Sequence, residues 1–267
     1  MSKVVLITGA SSGIGLSIAN FLLEKGFVVY GTSRSSKNAT NYAFNLIALD
    51  VLNVGTIQDA VSLIIEKEEK LDVLVNNAGM GITGPIEDTP TDEMRKVFDT
   101  NLFGAIDVMK AVLPQMRKQN KGTIINVTSI AGYMGLPYRG MYSATKGALE
   151  LVTESVRMEV KNFGIDITSV APGDFATNIA AGRYHTPVFD DSAYKKVYEE
   201  NLALMDSHVT SGMDPIEMAK SVHKIINTKN PKGHYKVGGF MEKFSIVLKR
   251  ILPDKMYEKL LMNHYKL

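Results

Sequence analysis

Short apolar runs alternate with amphipathic segments along most of the chain. Val4–Ile7 is an aliphatic run that stops at a glycine turn, and from Gly13 apolar residues recur at helical spacing. The predicted strands are Val4–Ile7, Phe27–Tyr30, Leu46–Leu49, Leu71–Val75, Gly122–Val127, Gly164–Val170 and His234–Val237. The predicted helices include Ile57–Lys70, Glu93–Arg117 and Met141–Lys161. Because helices that connect parallel strands cover both faces of a sheet, this order predicts an α/β fold with a doubly wound, Rossmann-type parallel sheet.

The regular alternation stops after Pro172-Gly173. Residues 174–212 are less periodic and contain several aromatic residues and methionines, so we interpret them as a loop insertion rather than a second domain. Residues 1–237 are therefore predicted to form a single Rossmann-type domain that includes this insertion. Residues 238–267 are predicted to form a basic, amphipathic helical tail.

The composition excludes several classes of function. The 267 residues include 45% hydrophobic residues and no cysteine, which excludes disulfides, thiolate metal sites and cysteine nucleophiles. The formal net charge of +2 argues against a nucleic-acid partner, and the histidines show no paired ligand spacing that would predict a metal. No apolar run approaches the roughly 20 residues of a membrane-spanning helix, and the N-terminus has no signal-peptide pattern. We therefore expect a cytoplasmic enzyme.

Glycines connect the first predicted strand to the first helix. Glycine at these positions permits a tight turn and lets the main chain approach a pyrophosphate, whose charge lies against the free N–H groups of the helix N-terminus. A simple tight turn is the alternative, but the position directly after the first strand favours a dinucleotide site. The residues predicted to hold the pyrophosphate are Gly9, Ser11, Ser12, Gly13, Ile14 and Gly15.

The residues after the second predicted strand indicate which nucleotide fits. Ser33 and Arg34 stand where an NAD site places a carboxylate that holds the ribose 2′-hydroxyl. A guanidinium suits a 2′-phosphate instead. We therefore expect NADP (NADPH) as the cofactor; the alternative is that Arg34 is an ordinary solvated charge.

Three side chains could together perform proton transfer at a carbonyl. Tyr142 and Lys146 are four residues apart on a predicted helix, so their phenol and ammonium groups lie on one face. A neighbouring cation lowers the pKa of a tyrosine and makes it a usable acid or base. Ser129 follows the strand Gly122–Val127 at the sheet edge where such folds place their sites. Each residue alone is more typical of packing or of a turn, but the set predicts hydride-transfer chemistry.

The order of these motifs resembles that of classical short-chain dehydrogenases/reductases, over about residues 3 to 237. The matching motifs are Gly9-x-x-x-Gly13-x-Gly15, Asn76-Asn77-Ala78-Gly79, Asn101 in Asn-Leu-Phe-Gly, Ser129, Tyr142-x-x-x-Lys146 and Pro172-Gly173. The resemblance implies that Tyr142 is the general acid in reduction and that Lys146 lowers its pKa and binds the nicotinamide ribose. It implies further that Ser129 orients the carbonyl and that Asn101 holds a water linking the lysine to solvent.

The same resemblance implies further cofactor contacts. They come from Asp50, Val51, Asn77, Ala78, Gly79, Pro172, Gly173, Phe175 and Thr177, together with Tyr142 and Lys146. One position departs from the family pattern, because many NADP-dependent members carry a basic residue where this chain has Ser12. Arg34 is then expected to recognise the 2′-phosphate alone.

The substrate walls are expected to be apolar and aromatic. They are predicted in the loop Tyr133–Tyr138 and, beyond Pro172-Gly173, at Phe175, Ile179, Tyr184, Phe189, Tyr194 and Tyr198. Neither segment contains a dense cluster of arginine or lysine, so we expect a lipophilic ketone or secondary alcohol of steroid, retinoid or long-chain lipid type. Met134–Pro137 also resembles hydroxysteroid and retinol dehydrogenases. The alternatives are that the aromatic residues close the core edge or a subunit contact, that the protein reduces 3-oxoacyl thioesters, or that it is a non-catalytic NADPH-binding regulator.

The end of the chain is strongly basic. Residues 229–267 contain nine Lys or Arg and three Asp or Glu, a net charge of +6, interspersed with apolar residues. Such a segment can lie on an anionic membrane surface, pack on its own domain or form a subunit interface. The predicted partner is a small lipophilic substrate. Peripheral contact with a membrane through the tail is one of the alternatives. The family resemblance also implies a homo-oligomer.

Overall fold

A computed structural model describes residues 2–35, 39–177 and 182–267 of the chain. The strands are β1 Val4–Ile7, β2 Val28–Ser33, β3 Asn45–Ala48, β4 Val73–Asn76, β5 Ile82–Thr83, β6 Gly122–Val127, β7 Ile165–Pro172, β8 Tyr184–His185 and β9 His234–Val237. The helices are α1 Gly13–Glu24, α2 Val54–Glu68, α3 Thr91–Phe98, α4 Gly104–Lys118, α5 Gly140–Glu159, α6 Lys195–Thr210, α7 Ile216–Ile226, α8 Phe240–Ile251 and α9 Asp254–Tyr265.

The main sheet has the strand order β3-β2-β1-β4-β6-β7-β9, and all its neighbouring strands are parallel. The connections run in one direction from β1 to β3 and in the other from β4 to β9, so the order reverses between β1 and β4. A crevice forms at such a reversal, outside the carboxyl ends of the strands, and ligands bind there. The predicted Rossmann-type fold is confirmed, and this crevice sets the place of the site.

The core consists of one apolar layer on each face of the sheet. Alternate residues of β1 point to opposite faces, so Val5 belongs to the layer under α1 and α7 and Leu6 to the layer under α2 and α4. Both side chains are fully buried. Burying an aliphatic side chain of this size contributes about 1.5–3 kcal/mol, which explains why the central strands are continuous apolar runs.

The segment predicted as one helix over Glu93–Arg117 is interrupted. A π-helical turn at Asp99–Phe103 separates α3 from α4, and Asn101 lies buried within it. Such π turns insert one extra residue per turn and occur often at functional sites. The expectation of one regular helix was wrong here, because apolar periodicity does not register a local widening of the turn.

The insertion and the tail pack beside segments that follow the carboxyl ends of sheet strands. In the insertion, β8 pairs in parallel with β5 and α6 follows. In the tail, Ile246 of α8 and Tyr257 of α9 are buried against Ile130, Met134 and Ala171. The tail helices therefore pack on their own domain. None of the helices in the described ranges combines the length and apolar character needed to cross a membrane.

Candidate active site

The glycine turn after β1 forms a cradle of main-chain groups. Gly9 and Gly13 have φ angles of +67° and +54°, which residues with a Cβ adopt only at a cost. A Cβ on Gly15 would lie 2.3 Å from the Gly9 carbonyl oxygen. Ser12 is the N-cap of α1 but makes no side-chain capping bond, so the first N–H groups of the helix remain available to an anion. The cradle therefore fits a pyrophosphate.

Two side chains hold this cradle against the end of β4. The Thr8 hydroxyl accepts hydrogen bonds from the backbone N–H groups of Asn77 and Ala78, at 3.0 and 2.9 Å. The Asn77 amide in turn donates to the carbonyl oxygens of Thr8 and Gly9, at 3.0 and 3.1 Å. A Cβ on Gly79 would lie 3.5 Å from the Lys146 ammonium nitrogen. The predicted cofactor residues 77–79 thus connect the cradle to the predicted catalytic residue Lys146.

The predicted adenosine end of the site lies beyond β2. Ser33 ends that strand, and Arg34 follows it with an exposed side chain that makes no hydrogen bond or ion pair with described residues. On the neighbouring strand end, the Asp50 carboxylate accepts the Leu52 N–H at 3.0 Å, and Val51 packs against Gly104. Arg34 is therefore placed where it can meet an added anionic group.

The predicted catalytic residues converge at the carboxyl ends of β4 and β6. Tyr142 and Ser129 line the same cavity. The Lys146 ammonium donates to the Val127 carbonyl at 3.0 Å and lies 6.0 Å from the centre of the Tyr142 ring. Burial lowers the pKa of Lys146, and the nearby Tyr142 and Glu150 partly offset this effect. Lys146 thus places a buried amino group near the Tyr142 ring.

Ser129 has one hydrogen-bonding role within the protein. Its hydroxyl oxygen accepts the Ala131 N–H at 3.1 Å and so caps the short 3₁₀ turn Ile130–Tyr133. The hydroxyl hydrogen donates to none of the described residues, although the residue is buried. Ser129 can therefore donate a hydrogen bond to an oxygen in the cavity.

Asn101 fixes the backbone opposite the lysine. Its amide oxygen accepts the Met80 N–H at 2.8 Å, and its amide nitrogen donates to the Met80 carbonyl at 2.9 Å and to Thr145 at 3.2 Å. The side chain is thus used to connect the π turn, the segment after β4 and α5. The water-holding role implied by the family resemblance stays a prediction.

A buried carboxylate behind the lysine was missed by the sequence reasoning. Glu150 lies one helical turn beyond Lys146 and accepts hydrogen bonds from Thr128 and Ser169, at 2.5 and 2.6 Å. His234 of β9 lies 2.7 Å from the same carboxylate. Glu150 therefore connects α5 to the ends of β6 and β7. The only indication in the sequence was its spacing of four residues from Lys146.

The catalytic groups open into a cavity of about 640 Å³. Of the predicted wall residues, Met134, Leu136 and Phe175 line it, and so does Thr177, which also lies beside Gly13 of the cradle. The prediction was wrong for the remaining described aromatic residues. Those not among the lining residues are Tyr133, Tyr138, Tyr184, Phe189, Tyr194 and Tyr198, and Ile179 lies outside the described residues. Tyr138 and Tyr198 instead pack against each other, with ring centres 5.3 Å apart.

The tail helices contribute the part of the cavity wall that the sequence did not predict. The cavity-lining residues of α8 and α9 are Met241, Glu242, Ser245, Leu248, Tyr257, Leu260, Leu261, His264 and Tyr265. Glu242 attaches α8 to the site, because its carboxylate accepts the backbone N–H groups of Asp174 at 2.6 Å and Gly239 at 2.5 Å. A Cβ on Gly173 would lie 2.2 Å from that carboxylate, so the Pro172-Gly173 motif also makes room for the tail.

The cavity also contains charged groups that the sequence did not place there. Arg139, Arg183 and Asp174 line it together with Glu242. The Arg139 guanidinium lies 5.4 Å from the centre of the Tyr142 ring, within cation–π range. Burial raises the pKa of Tyr265, and the adjacent Arg139 partly offsets that rise. The cavity is therefore apolar with a polar region near the catalytic tyrosine.

Comparisons with known proteins agree with this geometry. The family model for short-chain dehydrogenases matches residues 3–187. The chain is 38% identical over 264 residues to a 3-ketodihydrosphingosine reductase from Bacteroides thetaiotaomicron, covering 98% of each protein. A short-chain dehydrogenase structure from Streptomyces avermitilis superimposes with a TM-score of 0.83 at 29% identity, over 100% of this chain and 96% of that one. The structure of ElxO with NADP bound gives a TM-score of 0.73 at 29% identity, over 89% and 97%.

Proposed function

This chain belongs to the short-chain dehydrogenase/reductase family and is an oxidoreductase, and from that premise we propose that it reduces a long-chain lipid ketone with NADPH. The observation that carries the proposal is a shared cavity. Ile14 of the glycine cradle, Ser129 and Tyr142 line the same space of about 640 Å³, whose other walls are largely apolar. A volume of this size is typical of sites for small organic ligands. A ketone in this cavity can thus reach both the catalytic pair and the cofactor cradle.

The residues of the chain have separate tasks in the reaction. The nicotinamide cofactor, when bound, supplies the hydride that adds to the carbonyl carbon. Tyr142 donates its phenolic proton to the carbonyl oxygen, and Ser129 donates a hydrogen bond that holds this oxygen in place. The phenolate left on Tyr142 is stabilised by the ammonium group of Lys146, whose desolvation strengthens the attraction between the two charges.

The preference for NADPH rests on Arg34. Its guanidinium is exposed beside the end of β2 and has no described protein partner, so a 2′-phosphate would supply one. The carboxylate of Asp50 on the adjacent strand end is already bound to the Leu52 N–H. The NADP-bound structure of ElxO supports the same assignment by similarity.

The substrate class rests on the cavity walls and on one relative. Apolar side chains from the loop after β6 and from both tail helices form most of the lining, which suits a long alkyl chain. The charged residues Arg139, Asp174 and Arg183 lie in the same cavity, and Arg139, 5.4 Å from the centre of the Tyr142 ring, suits a polar end group near the reacting carbon. We therefore propose a 3-ketodihydrosphingosine-type substrate, by analogy with the reductase from Bacteroides thetaiotaomicron.

A substrate panel tests this proposal. The full chain is incubated with NADPH, and the loss of its absorbance is followed with 3-ketodihydrosphingosine, retinal, a steroid ketone, a 3-oxoacyl thioester and a hexose in turn. We expect the highest kcat/KM with 3-ketodihydrosphingosine and at least tenfold less with NADH in place of NADPH. Activity confined to the hexose or the thioester would contradict the lipid assignment, and NADPH binding without turnover of any ketone would indicate a regulator. Homo-oligomer formation and a cytoplasmic location stay predictions.

A further inference from the structure

Helix α8 carries an apolar stripe on its outer surface. Phe240, Phe244, Val247 and Ile251 follow one another at spacings of four, three and four residues, so they share one face of the helix. All four are exposed, Phe240 to 74% and Ile251 to 67%. The rings of Phe240 and Phe244 stack with centroids 5.6 Å apart. Contiguous exposed apolar surface of this kind marks an interaction site more often than a chance feature.

Helix α9 has the same organisation. Met256 and Leu260 lie one turn apart and are both exposed, at 55% and 47%. We call the six exposed residues of the two helices the apolar stripe; they are Phe240, Phe244, Val247, Ile251, Met256 and Leu260.

Basic residues border the stripe on one side of each helix. Lys243 and Arg250 lie beside it on α8, and Lys255 and Lys259 lie beside it on α9, as their helical positions require. All four side chains are exposed. The stripe is therefore an apolar surface with a cationic border.

The opposite border of the stripe leads into the cavity. On α8 this border is formed by Met241 and Leu248, and on α9 by Tyr257 and Leu261, all of which line the cavity. Met241 is 69% exposed and Leu260 is 47% exposed, although both also line the cavity. Met241 and Leu260 thus belong both to the cavity lining and to the exposed surface of the tail.

We propose that the apolar stripe docks on the surface of a membrane that contains anionic lipid. The apolar side chains would enter the boundary between headgroups and acyl chains, while the four basic residues contact the lipid phosphates. A lipid substrate could then pass from the bilayer along the stripe into the cavity without crossing water. The proposal goes beyond the proposed reaction, and vesicle binding can be measured without any substrate turnover.

The border charges argue against a second copy of the chain as the occupant. In a two-fold symmetric contact the same patch meets itself, so the basic residues of both copies would be brought into one interface; they are Lys243, Arg250, Lys255 and Lys259. Like charges at such a contact oppose association, whereas anionic lipid neutralises them. The charge pattern therefore favours a membrane over a self-contact.

Vesicle co-sedimentation of the full-length chain tests the proposal. Vesicles of phosphatidylcholine with about 30% phosphatidylglycerol are compared with phosphatidylcholine alone, since basic residues near a membrane surface are attracted by anionic lipid. We expect pelleting with the anionic vesicles, weaker pelleting with the neutral ones, and release at high salt. The double variant Phe244→Asp/Ile251→Asp should bind at least tenfold more weakly.

A matched double variant controls for the added charge. Leu52→Asp/Val54→Asp replaces two half-exposed apolar residues next to β3, at the opposite edge of the sheet from the tail. It should bind anionic vesicles like the parent chain. Equal pelleting of the parent and the Phe244→Asp/Ile251→Asp variant, or no difference between anionic and neutral vesicles, would overturn the proposal. The proposal would also be overturned if the parent chain did not bind vesicles and formed an oligomer in size-exclusion chromatography that the Phe244→Asp/Ile251→Asp variant did not form.

Discussion

The two sides of the cavity are built on different principles. On the cofactor side, the main chain itself forms the site: glycines bring backbone groups together, and the side chains of Thr8 and Asn77 hold them at 2.9 to 3.1 Å. On the opposite side, α8 and α9, which we call the C-terminal cover, contribute mainly apolar side chains. Main-chain geometry tolerates few residue types, whereas an apolar wall accepts many. We therefore expect the cofactor side to constrain the reaction and the C-terminal cover to determine which substrates bind.

The two sides also differ in how firmly they are held. The strands below the cradle are fully buried between two apolar layers, while the cover rests on a small cluster around Ile246 and Tyr257 and on the carboxylate of Glu242. Segments with few buried contacts open at lower free energy than a core does. Changes in the cover should therefore alter substrate use and leave cofactor binding intact, and changes at the cradle should do the reverse.

The largest effect is expected where the two sides meet, at Tyr142. Tyr142→Phe removes the proton donor and should reduce kcat about 10²- to 10⁴-fold, the usual contribution of general acid catalysis. NADPH binding should persist, since the phenol does not belong to the cradle. The measurement is kcat with a ketone substrate, together with NADPH binding by fluorescence.

The control for this change is Tyr30→Phe. The Tyr30 hydroxyl of β2 donates a hydrogen bond to Glu68 of α2 at 2.7 Å, and Tyr30 does not line the cavity. The variant should retain parental kcat. If Tyr142→Phe turned over the ketone as fast as Tyr30→Phe, the phenol would not be the acid.

A smaller but still large effect is expected at the cradle. A Cβ on Gly15 would lie 2.3 Å from the Gly9 carbonyl oxygen and 2.5 Å from the Asn77 amide nitrogen, and neither group can retreat without breaking the loop. Gly15→Ala should therefore weaken NADPH binding at least about 100-fold, since two lost hydrogen bonds to a charged group cost about 3–6 kcal/mol. Isothermal titration calorimetry with NADPH measures this loss of affinity. Gly233→Ala, where the nearest atom is 4.0 Å away, should bind NADPH like the parent; equal affinities of the two variants would contradict this account.

A smaller effect is expected on the preference for NADPH over NADH. Arg34→Ala removes the cation opposite the 2′-phosphate and should lower the NADPH-to-NADH ratio of kcat/KM by about 10- to 100-fold, because a hydrogen bond to a charged group contributes about 1.5–3 kcal/mol. Only the kcat/KM with NADPH should decrease, and the kcat/KM with NADH should stay unchanged. Arg95→Ala, which removes an exposed arginine from α3, should leave the ratio unchanged. An unchanged ratio in Arg34→Ala would show that this residue is a solvated charge.

The difference between the two sides explains what the sequence could predict. The cradle and the residues Ser129, Tyr142 and Lys146 could be located because main-chain turns and helical spacing restrict both residue type and distance. The walls could not be located, because Leu248 or Leu261 has the same periodic signature whether it faces a cavity, a core or a partner. Glu150 and Arg139 were missed for another reason. Glu150 contacts Ser169 and His234, and Arg139 interacts with Tyr265, and only the folded chain brings these groups together.

An effect limited to substrate choice is expected in the cover. Leu248 lines the cavity from α8, and Leu248→Phe fills part of the space that a long alkyl chain would occupy. Overpacking of this kind costs about 1–3 kcal/mol, so KM for a long-chain ketone should rise about tenfold. The KM values for a short-chain ketone and for NADPH should stay unchanged, and both serve as internal controls. A parallel rise of KM for the short ketone would show that the change disturbs the catalytic side instead.

The smallest effect concerns the stability of the fold, and it follows from the buried ammonium of Lys146. Burial lowers the pKa of Lys146 in the folded protein, while in the unfolded chain the pKa stays near 10.5. Between these two pKa values the unfolded chain binds more protons, so the folding stability of the parent rises with pH, by at most about 1.4 kcal/mol per pH unit. Lys146→Met has no such group. Its free energy of unfolding relative to the parent should therefore decrease from pH 7 to pH 10, as measured by urea denaturation.

The control for this change is Lys118→Met, at the exposed end of α4, whose free energy of unfolding relative to the parent should not change with pH. A difference between Lys146→Met and the parent that stayed constant with pH would mean that the ammonium is solvated, and the electrostatic support for the Tyr142 phenolate would then be weak.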